Sequence, residues 1–481
     1  MIEYEIGTGM RYLSICDGLG AAHLAWQPLG WSCVGVSETA PFPTAVVRHH
    51  YGLRLLGDMK GFRKWSEELL AGIEVVAAGT PCPSYSGAGK RRGLADERGA
   101  LLLEFADLFN HVNMIRQKQC LKPAIVFFEN VPGLLTSEDN AFGEFVGRLL
   151  GCDEAPQTKT KGGKWPKAGL LGSDTARVCW RVLDSQHFAV AQRRKRVFLL
   201  GVPTELIERF GDRVCPSRIL SLRSSGELKT LKLKVRGEIT LASWVAKPSE
   251  SVEGSVNLPW LKGAPGVCSL PCRVNLSEVL ETGPVDEKYY ISAAAKASSM
   301  LERAKARGKQ LVPLYKAVLE KMASGIGSEP AAQAAVEDGT RVALAIDGLN
   351  QSIGQEVHHT LRVGRDSDDA VVVLVATSHV AGTLTASRGN GFRSNGVPTH
   401  GLAIEGDRLR VLTPREWEWL MGVPGGFTLV PYRKNELAAD SPRYEALGNS
   451  IVVPIQNWIG QRIDQAFAVD PLPGPKEPGN T

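Results

Sequence analysis

Five short apolar runs punctuate the first 200 residues, and they constrain the fold more than any other feature of the chain. They are Arg11–Cys16 (RYLSIC), Trp31–Val36 (WSCVGV), Ile73–Ala78 (IEVVAA), Ala124–Glu129 (AIVFFE) and Arg196–Gly201 (RVFLLG). Each is apolar almost without interruption, the pattern of a strand covered on both faces rather than of one with a wet side. Helix-period stretches lie between them. In one, Leu101, Phe105, Leu108, Phe109, Val112 and Ile115 recur at spacings of three and four. Strand and helix in alternation predict an α/β fold with a doubly wound sheet. Such sheets bind ligands outside the carboxyl ends of their strands, so side chains at those ends are the ones to read for chemistry.

The rest of the chain departs from this alternation. From Thr204 to Ser394 there is no clean strand–helix succession. Residues 221–237 hold five basic residues against one acid, 248–275 are rich in Ser, Pro and Gly, 292–322 read as basic helices, and Val371–Thr377 reads as a strand. The expected organisation is a first domain over 1–203, a smaller inserted domain over 204–394, and a segment at 395–469 that returns to the first. The tail, 470–481 (DPLPGPKEPGNT), is expected to be disordered. In the returning segment, Ile455, Trp458, Ile459, Ile463 and Phe467 share one helical face that needs a surface to cover it.

Charge and cysteine usage narrow the classes. The 56 Lys and Arg against 51 Asp and Glu give +5, mildly basic and compatible with a polyanionic partner. No run of about 18 apolar residues exists, and the opening MIEYEIGTGMRYLSI has no basic leader before an apolar stretch, so neither membrane residence nor export is expected, and the expected compartment is the cytoplasm. Nine cysteines, an odd number, argue against a disulfide framework and for a reducing compartment. Cys268 and Cys272 are the closest pair, with no second Cys or His pair near them, so no zinc or other metal site is expected.

Four local patterns carry chemistry. In Ala77–Ser86 (AAGTPCPSYS) a buried strand ends and Cys82 follows between two prolines, which fix the backbone and hold a thiol at the ligand-binding rim. A packed core cysteine does not need that turn. A thiol of ordinary pKa, about 8.5, is only a few per cent ionised at neutral pH, so a nucleophile here calls for nearby positive charge, and Arg194 and Arg196 supply it. Glu129 ends the apolar run before Asn130 and Val131; burial there would raise its pKa and let it share a proton with a ring nitrogen, although a capping or turn role fits the same position. Gln192–Arg196 (QRRKR) is either a solvated basic turn or part of that site. Gly18, Leu19 and Gly20 follow the first strand, and Glu38 closes the next, an arrangement that suits a nucleoside: glycines for close approach, an acid for ribose hydroxyls.

Taken in order, these motifs resemble those of the DNA cytosine-5 methyltransferases of phage and bacterial type. DGLG at 17–20 is similar to that family's first glycine motif, Glu38 to its ribose-binding acid, Gly57-Asp58 to its adenine-contacting pair and PCPSYS at 81–86 to its nucleophile loop. ENV at 129–131 looks like the base-binding motif and QRRKR like its Gln-x-Arg-x-Arg. TLTAS at 383–387 and LTPREWEWLMGVP at 412–424 match segments flanking its target-recognition domain, and GNS at 448–450 matches its last motif. Cys16 stands where the family places an aromatic.

The resemblance implies a Rossmann-like methyltransferase sheet, with the insert as target-recognition domain. It implies S-adenosyl-L-methionine as cofactor, leaving as S-adenosyl-L-homocysteine, held by Asp17, Gly18, Leu19, Gly20, Glu38, Thr39, Asp58, Met59, Gly79, Pro81, Leu101, Asn449 and Ser450. Catalysis would fall to Cys82, adding to carbon 6 of a cytosine flipped from duplex DNA, with Glu129, Arg194 and Arg196 around the base. The pliable basic loop after it would meet DNA through Ser86, Lys90, Arg91, Arg92 and Arg98, and the insert through Thr383, Thr385, Arg388, Asn390 and Arg393. A monomer suffices for one site per chain, and a cognate restriction endonuclease is an implied partner. An RNA cytosine-5 methyltransferase on the same fold, or a non-catalytic DNA-binding regulator, are the alternatives. The large insert disfavours the first, and the intact Cys82, Glu129, Arg194 and Arg196 disfavour the second.

Overall fold

The computed structural model describes residues 9–80, 97–158, 163–222, 252–264, 266–291 and 408–468, with short strands at 228–230, 240–244, 345–346, 353–354 and 402–405 and scattered helical positions between 298 and 324. Its centre is one nine-stranded mixed sheet. In chain order the strands are β1 (Arg11–Ile15), β2 (Ser32–Ser37), β3 (Val75–Ala78), β4 (Ile125–Asn130), β5 (Ala168–Gly172), β6 (Ala176–Asp184), β7 (Lys195–Pro203), β8 (Leu228–Thr230) and β9 (Thr240–Trp244), and in space they run β2-β1-β3-β4-β7-β6-β5-β9-β8. The first four are mutually parallel. From β4–β7 onward every pairing is antiparallel.

All five strands predicted in the first 200 residues are present, each within about two residues of the apolar run that announced it. They are buried for the expected reason. Along β3, Val75 and Ala77 enter one apolar layer while Val76 and Ala78 enter the other, and Ile125 and Phe127 of β4 alternate with Val126 and Phe128 in the same way. Helices α2 (Pro41–Tyr51), α3 (Glu67–Ala71), α4 (Glu97–Lys118) and α5 (Ala141–Leu149) connect or cover the strands. The side formed by α4 and α5 packs Phe105, Leu108, Phe142 and Phe145 against Phe128. The other side is closed by α1 (Ala21–Trp26) and the C-terminal helix Val453–Phe467, with Trp26, Trp458, Ile455 and Ile459 fully buried.

The fold is therefore the expected Rossmann-like α/β type, with an antiparallel far half that apolar runs alone do not distinguish. The strand expected at Val371–Thr377 and the disordered tail lie outside the described residues. Residues 252–280 contribute Val256, Leu258, Leu261, Val274 and Leu276 to the same core as the sheet. One expectation is corrected: Cys268 and Cys272 form a disulfide. The tight turn between them brings their Cα atoms to 6.3 Å, inside the span such a bond needs, which an odd cysteine count could not reveal. Among the described residues no helix is long and apolar enough to cross a membrane.

Candidate active site

The carboxyl edge of the parallel half carries two adjoining arrangements. The first is the turn from β1 into α1, where Cys16, Gly18 and Gly20 all take left-handed φ values of 51°, 66° and 81°. At Gly18 a Cβ would project into open space, so the backbone there is bare to an approaching ligand. Leu19 anchors the turn in the core. Asp17 holds it from beneath: its Oδ1 accepts from Ala22 N–H at 3.0 Å, and its carboxyl lies buried under the turn. Burial pushes the Asp17 pKa up to about 6, against the downward pull of the Ala22 and Ser14 hydrogen bonds.

Glu38 stitches this turn to the end of β2. Its Oε2 accepts from Gly18 N–H at 3.0 Å, and its Oε1 from Thr39 and Ala40 N–H at 2.8 Å each. Three of about four lone-pair directions are thus occupied, which leaves the carboxylate fixed, partly exposed and still able to accept. Next to it Ser37 Oγ donates to Gly57 O at 2.7 Å, and Asp58 accepts from Lys60 N–H at 3.0 Å, with Met59 buried below. Gly79, where the chain leaves β3, has no room for a side chain: a Cβ would sit 2.8 Å from Ile451 Cδ1. Ser450 is buried beside it, Asn449 is exposed, and Leu101 is half-buried on α4.

The second arrangement is the end of β4. Glu129 is 7% exposed, and the Nε of Arg196 lies 3.2 Å from its Oε1. Strand pairing puts them there: Glu129 faces Phe198 and Asn130 faces Val197, so the start of β7 lies across from the end of β4. Burial raises the Glu129 pKa, opposed first by Arg196 and then by Arg194. Arg194 is near enough to Glu129 to act on it and is also bonded to the C-terminal part of the chain. Its Nη2 donates to Gly448 O at 3.0 Å and Ser450 O at 2.9 Å, fastening the GNS segment to the sheet edge.

Sequence reading gave no role to Asn130 and Gln192 beyond their motifs. Buried Asn130 donates from Nδ2 to both the carbonyl and the hydroxyl of Thr80 at 3.2 Å, and its Oδ1 accepts from Val131 N–H. It thereby ties the end of β4 to the exit of β3, two residues before Cys82. Gln192 Nε2 reaches Met421 Sδ at 3.6 Å, and Met421 O accepts from Val453 N–H, so the LTPREWEWLMGVP segment bridges the QRRKR loop and the C-terminal helix. The only prior signal was position, a polar residue abutting an apolar strand end. Pro81, Cys82, Ser86, Lys90, Arg91, Arg92, Thr383, Thr385, Arg388, Asn390 and Arg393 lie outside the described residues, as does the side chain of Arg98.

The model of the C-5 cytosine-specific DNA methylase family matches residues 10–152 and 171–465. The chain is 30% identical, over 95% of its length and 61% of the relative's, to the "DNA N-6-adenine-methyltransferase" of Escherichia phage P1. It is 32% identical to the type II methyltransferase M.HhaI of Haemophilus parahaemolyticus over 41% of this chain and 51% of that protein. It thus spans roughly half to three-fifths of these relatives. In fold it is similar to the Entamoeba histolytica methyltransferase EhMeth, with a TM-score of 0.50, 11% identity and coverage of 95% and 98% of the two chains.

Proposed function

The chain belongs to the C-5 cytosine-specific DNA methylase family, and we propose that it methylates carbon 5 of a cytosine in duplex DNA through a transient bond from Cys82. The observation that carries this reading is the buried Glu129 at the end of β4 with Arg196 3.2 Å away, on the edge where β3 delivers the chain into Pro81-Cys82-Pro83. Carbon 5 of cytosine is a poor nucleophile. Addition of the Cys82 thiolate to carbon 6 moves the ring's electron density onto carbon 5, and a proton shared between Glu129 and ring nitrogen 3 neutralises the charge that builds. Arg196 restrains the Glu129 carboxyl and has further N–H groups for the base oxygen. Once carbon 5 carries the methyl group, loss of its proton and departure of the sulfur restore the ring and free the thiolate.

The turn from β1 into α1 and the Glu38 carboxylate suit S-adenosyl-L-methionine. The Glu38 carboxylate is held by three backbone N–H groups where it can accept from a ribose diol, and the bare backbone at Gly18 admits a close approach. When bound, S-adenosyl-L-methionine supplies a methyl group activated by a sulfonium and leaves as S-adenosyl-L-homocysteine. Gly18, Gly20, Glu38, Asp58, Gly79 and Ser450 would frame it, and Arg194 would keep the last of these in place. Asp17 and Leu19 support the turn from below.

The phage P1 relative is named for transfer to an adenine amine. An exocyclic amine already carries the lone pair that attacks, so it needs neither a sulfur nucleophile nor a proton donor at a ring nitrogen. The Cys82, Glu129 and Arg196 constellation is chemistry for a ring carbon. Nucleoside analysis of duplex DNA incubated with the protein and a labelled methyl donor separates the two. The expected product is 5-methylcytosine, and a duplex with 5-fluorocytosine at the target should trap a covalent complex that Cys82→Ser does not form. N6-methyladenine as the product, or full turnover by Cys82→Ser, refutes the proposal.

A further inference from the structure

The edge that carries Glu129 continues into a basic corner that the proposed chemistry leaves unused. Leu183 faces Arg196 and Asp184 faces Lys195 across β6–β7, so the connection 185–194 emerges directly beside the base site. His187 is in that connection, 4% exposed, and its Nδ1 has no hydrogen-bond partner among the described residues. A distant stretch is fastened to it: Cys272 N–H donates to His187 O at 3.3 Å, and Ala189 N–H donates to Cys272 O at 3.0 Å. These two bonds bring Arg273 to the same corner.

The charged groups facing His187 are Asp184, Arg273, Arg193 and Lys195. The one acid among them is engaged through one oxygen, since Asp184 Oδ2 accepts from Gln186 Nε2 at 2.8 Å and stands 3.9 Å from Arg193 Nε. Among the described residues three cations and one acid thus surround His187, with Lys195 and Arg273 exposed and Arg193 half-buried. Gathering like charges from separate stretches of chain costs energy unless an anion is shared between them. Duplex DNA offers such anions at about one charge per 1.7 Å of axis, and a nucleotide whose base leaves the stack needs its backbone held.

We infer that Arg193, Lys195 and Arg273 bind backbone phosphates of duplex DNA next to the nucleotide whose base enters the Glu129 site. The inference rests on the proposed reading of that site and extends it to the two variable positions of QRRKR, Arg193 and Lys195, and to Arg273, which lies outside the motifs. Arg273 comes from a stretch packed against the sheet, so this contact is independent of residues 292–401.

Binding of a labelled duplex is measured by fluorescence anisotropy between 50 and 200 mM salt. Each contact removed should lower the slope of log affinity against log salt by about 0.9, which means about 3.5-fold less affinity lost across that range. Lys195→Gln and Arg273→Gln should each show this, the double variant twice as much, and Arg273→Lys should keep the wild-type slope. The rate at saturating DNA and the melting temperature should not change. An unchanged slope in the double variant, an equal loss at every salt concentration, or tighter binding of RNA than of duplex DNA overturns the inference. Should the wild-type protein make no 5-methylcytosine, the reading of the Glu129 site fails, and the slopes judge the corner separately.

Discussion

Replacing Arg194 by Ala tests whether this side chain acts on the base or holds the site together. Its guanidinium is 2% exposed, and one nitrogen serves the carbonyls of Gly448 and Ser450. Truncation leaves both buried acceptors without their donor at about 1–3 kcal/mol each, so the expected loss is about 3–5 kcal/mol with the cavity included. At about 2.1 cal/mol/K per residue, a cooperative unit of roughly 300 residues would melt about 5–8 °C lower. The segment set free frames the proposed donor pocket and not the base site. Affinity for S-adenosyl-L-methionine, read by calorimetric titration, should therefore fall about tenfold or more, the effect of losing over 1.4 kcal/mol of pre-organisation, while duplex affinity holds. Arg194→Lys keeps the charge but not the fork and should recover about half of the stability. If Arg194→Ala melts within about 1 °C of wild type, keeps its donor affinity and still cannot trap 5-fluorocytosine, Arg194 works on the base and the reasoning is wrong.

Three further outcomes follow from the geometry. Glu129→Gln removes the carboxyl proton and should lower the single-turnover rate by about 100-fold or more; since burial holds the Glu129 pKa above its ordinary value, the wild-type rate should fall as pH rises through that value, and the variant should lack this limb. Asp17 rises from 3.8 to about 6 on folding, so the folded state binds the extra proton and stability contributed at this group is lost as pH climbs from about 4 to about 6, by roughly 3 kcal/mol. Asp464 titrates in the same window, so the measurement is the difference between wild type and Asp17→Asn, whose denaturation midpoints should converge toward pH 4 and separate in the variant's favour above pH 6. Gly79→Ala places a Cβ 2.8 Å from Ile451 Cδ1 and should cost about 1–3 kcal/mol, with Ile451→Val restoring much of it; failure of that rescue in thermal melts would show that the clash is not with Ile451.

What the sequence disclosed depended on whether the signal was local. The strands β1 to β4 and β7 were legible because burial on both faces writes itself as a continuous apolar run, as in the fully buried IVFFEN of β4. Strands β5 and β6 were not, since AGLLG and ARVCWRVLD mix glycine and arginine into their runs; Arg181 is buried with its Nη1 donating to Leu220 O at 2.9 Å. Glu129 stood out as a carboxylate where a strand ends, and Arg196 as a basic residue near another strand. Their 3.2 Å approach follows from the β4–β7 register, which no local pattern encodes. The roles of Arg194 and Asn130 lie further from view, because each is defined by partners 256 and 50 residues away. The Cys268–Cys272 bond belongs to the same class: spacing permitted it, and only the turn decided it.

That the proposed donor pocket draws on residues far apart in the chain bears on how the long stretch between them can be accommodated. Trp26 Nε1 donates to Gln456 O at 3.0 Å, Asn457 Nδ2 donates to Ala25 O at 2.8 Å, and Trp31 Nε1 donates to Asp464 Oδ1 at 2.7 Å, contacts that span 430 to 433 residues. A Cβ on Gly460 would lie 2.7 Å from the Trp26 ring, so the C-terminal helix approaches α1 as closely as glycine allows. Closing a loop costs about 0.6 kcal/mol per doubling of its length, so residues inserted between these ends add little to the cost once the closure is made. Part of that closure is made by a shorter pairing, since Tyr290 and Ile291 pair antiparallel with Arg410 and Leu409 and bring the two ends of 292–407 together. Beside this pairing Arg410 is locked to Glu416 by bonds of 2.8 and 2.7 Å, both side chains almost wholly buried, and breaking such a pair costs about 3–5 kcal/mol. The stretch between 292 and 407 can therefore change in length or content while the Glu129 site and the Glu38 turn keep the chain entry and exit they depend on.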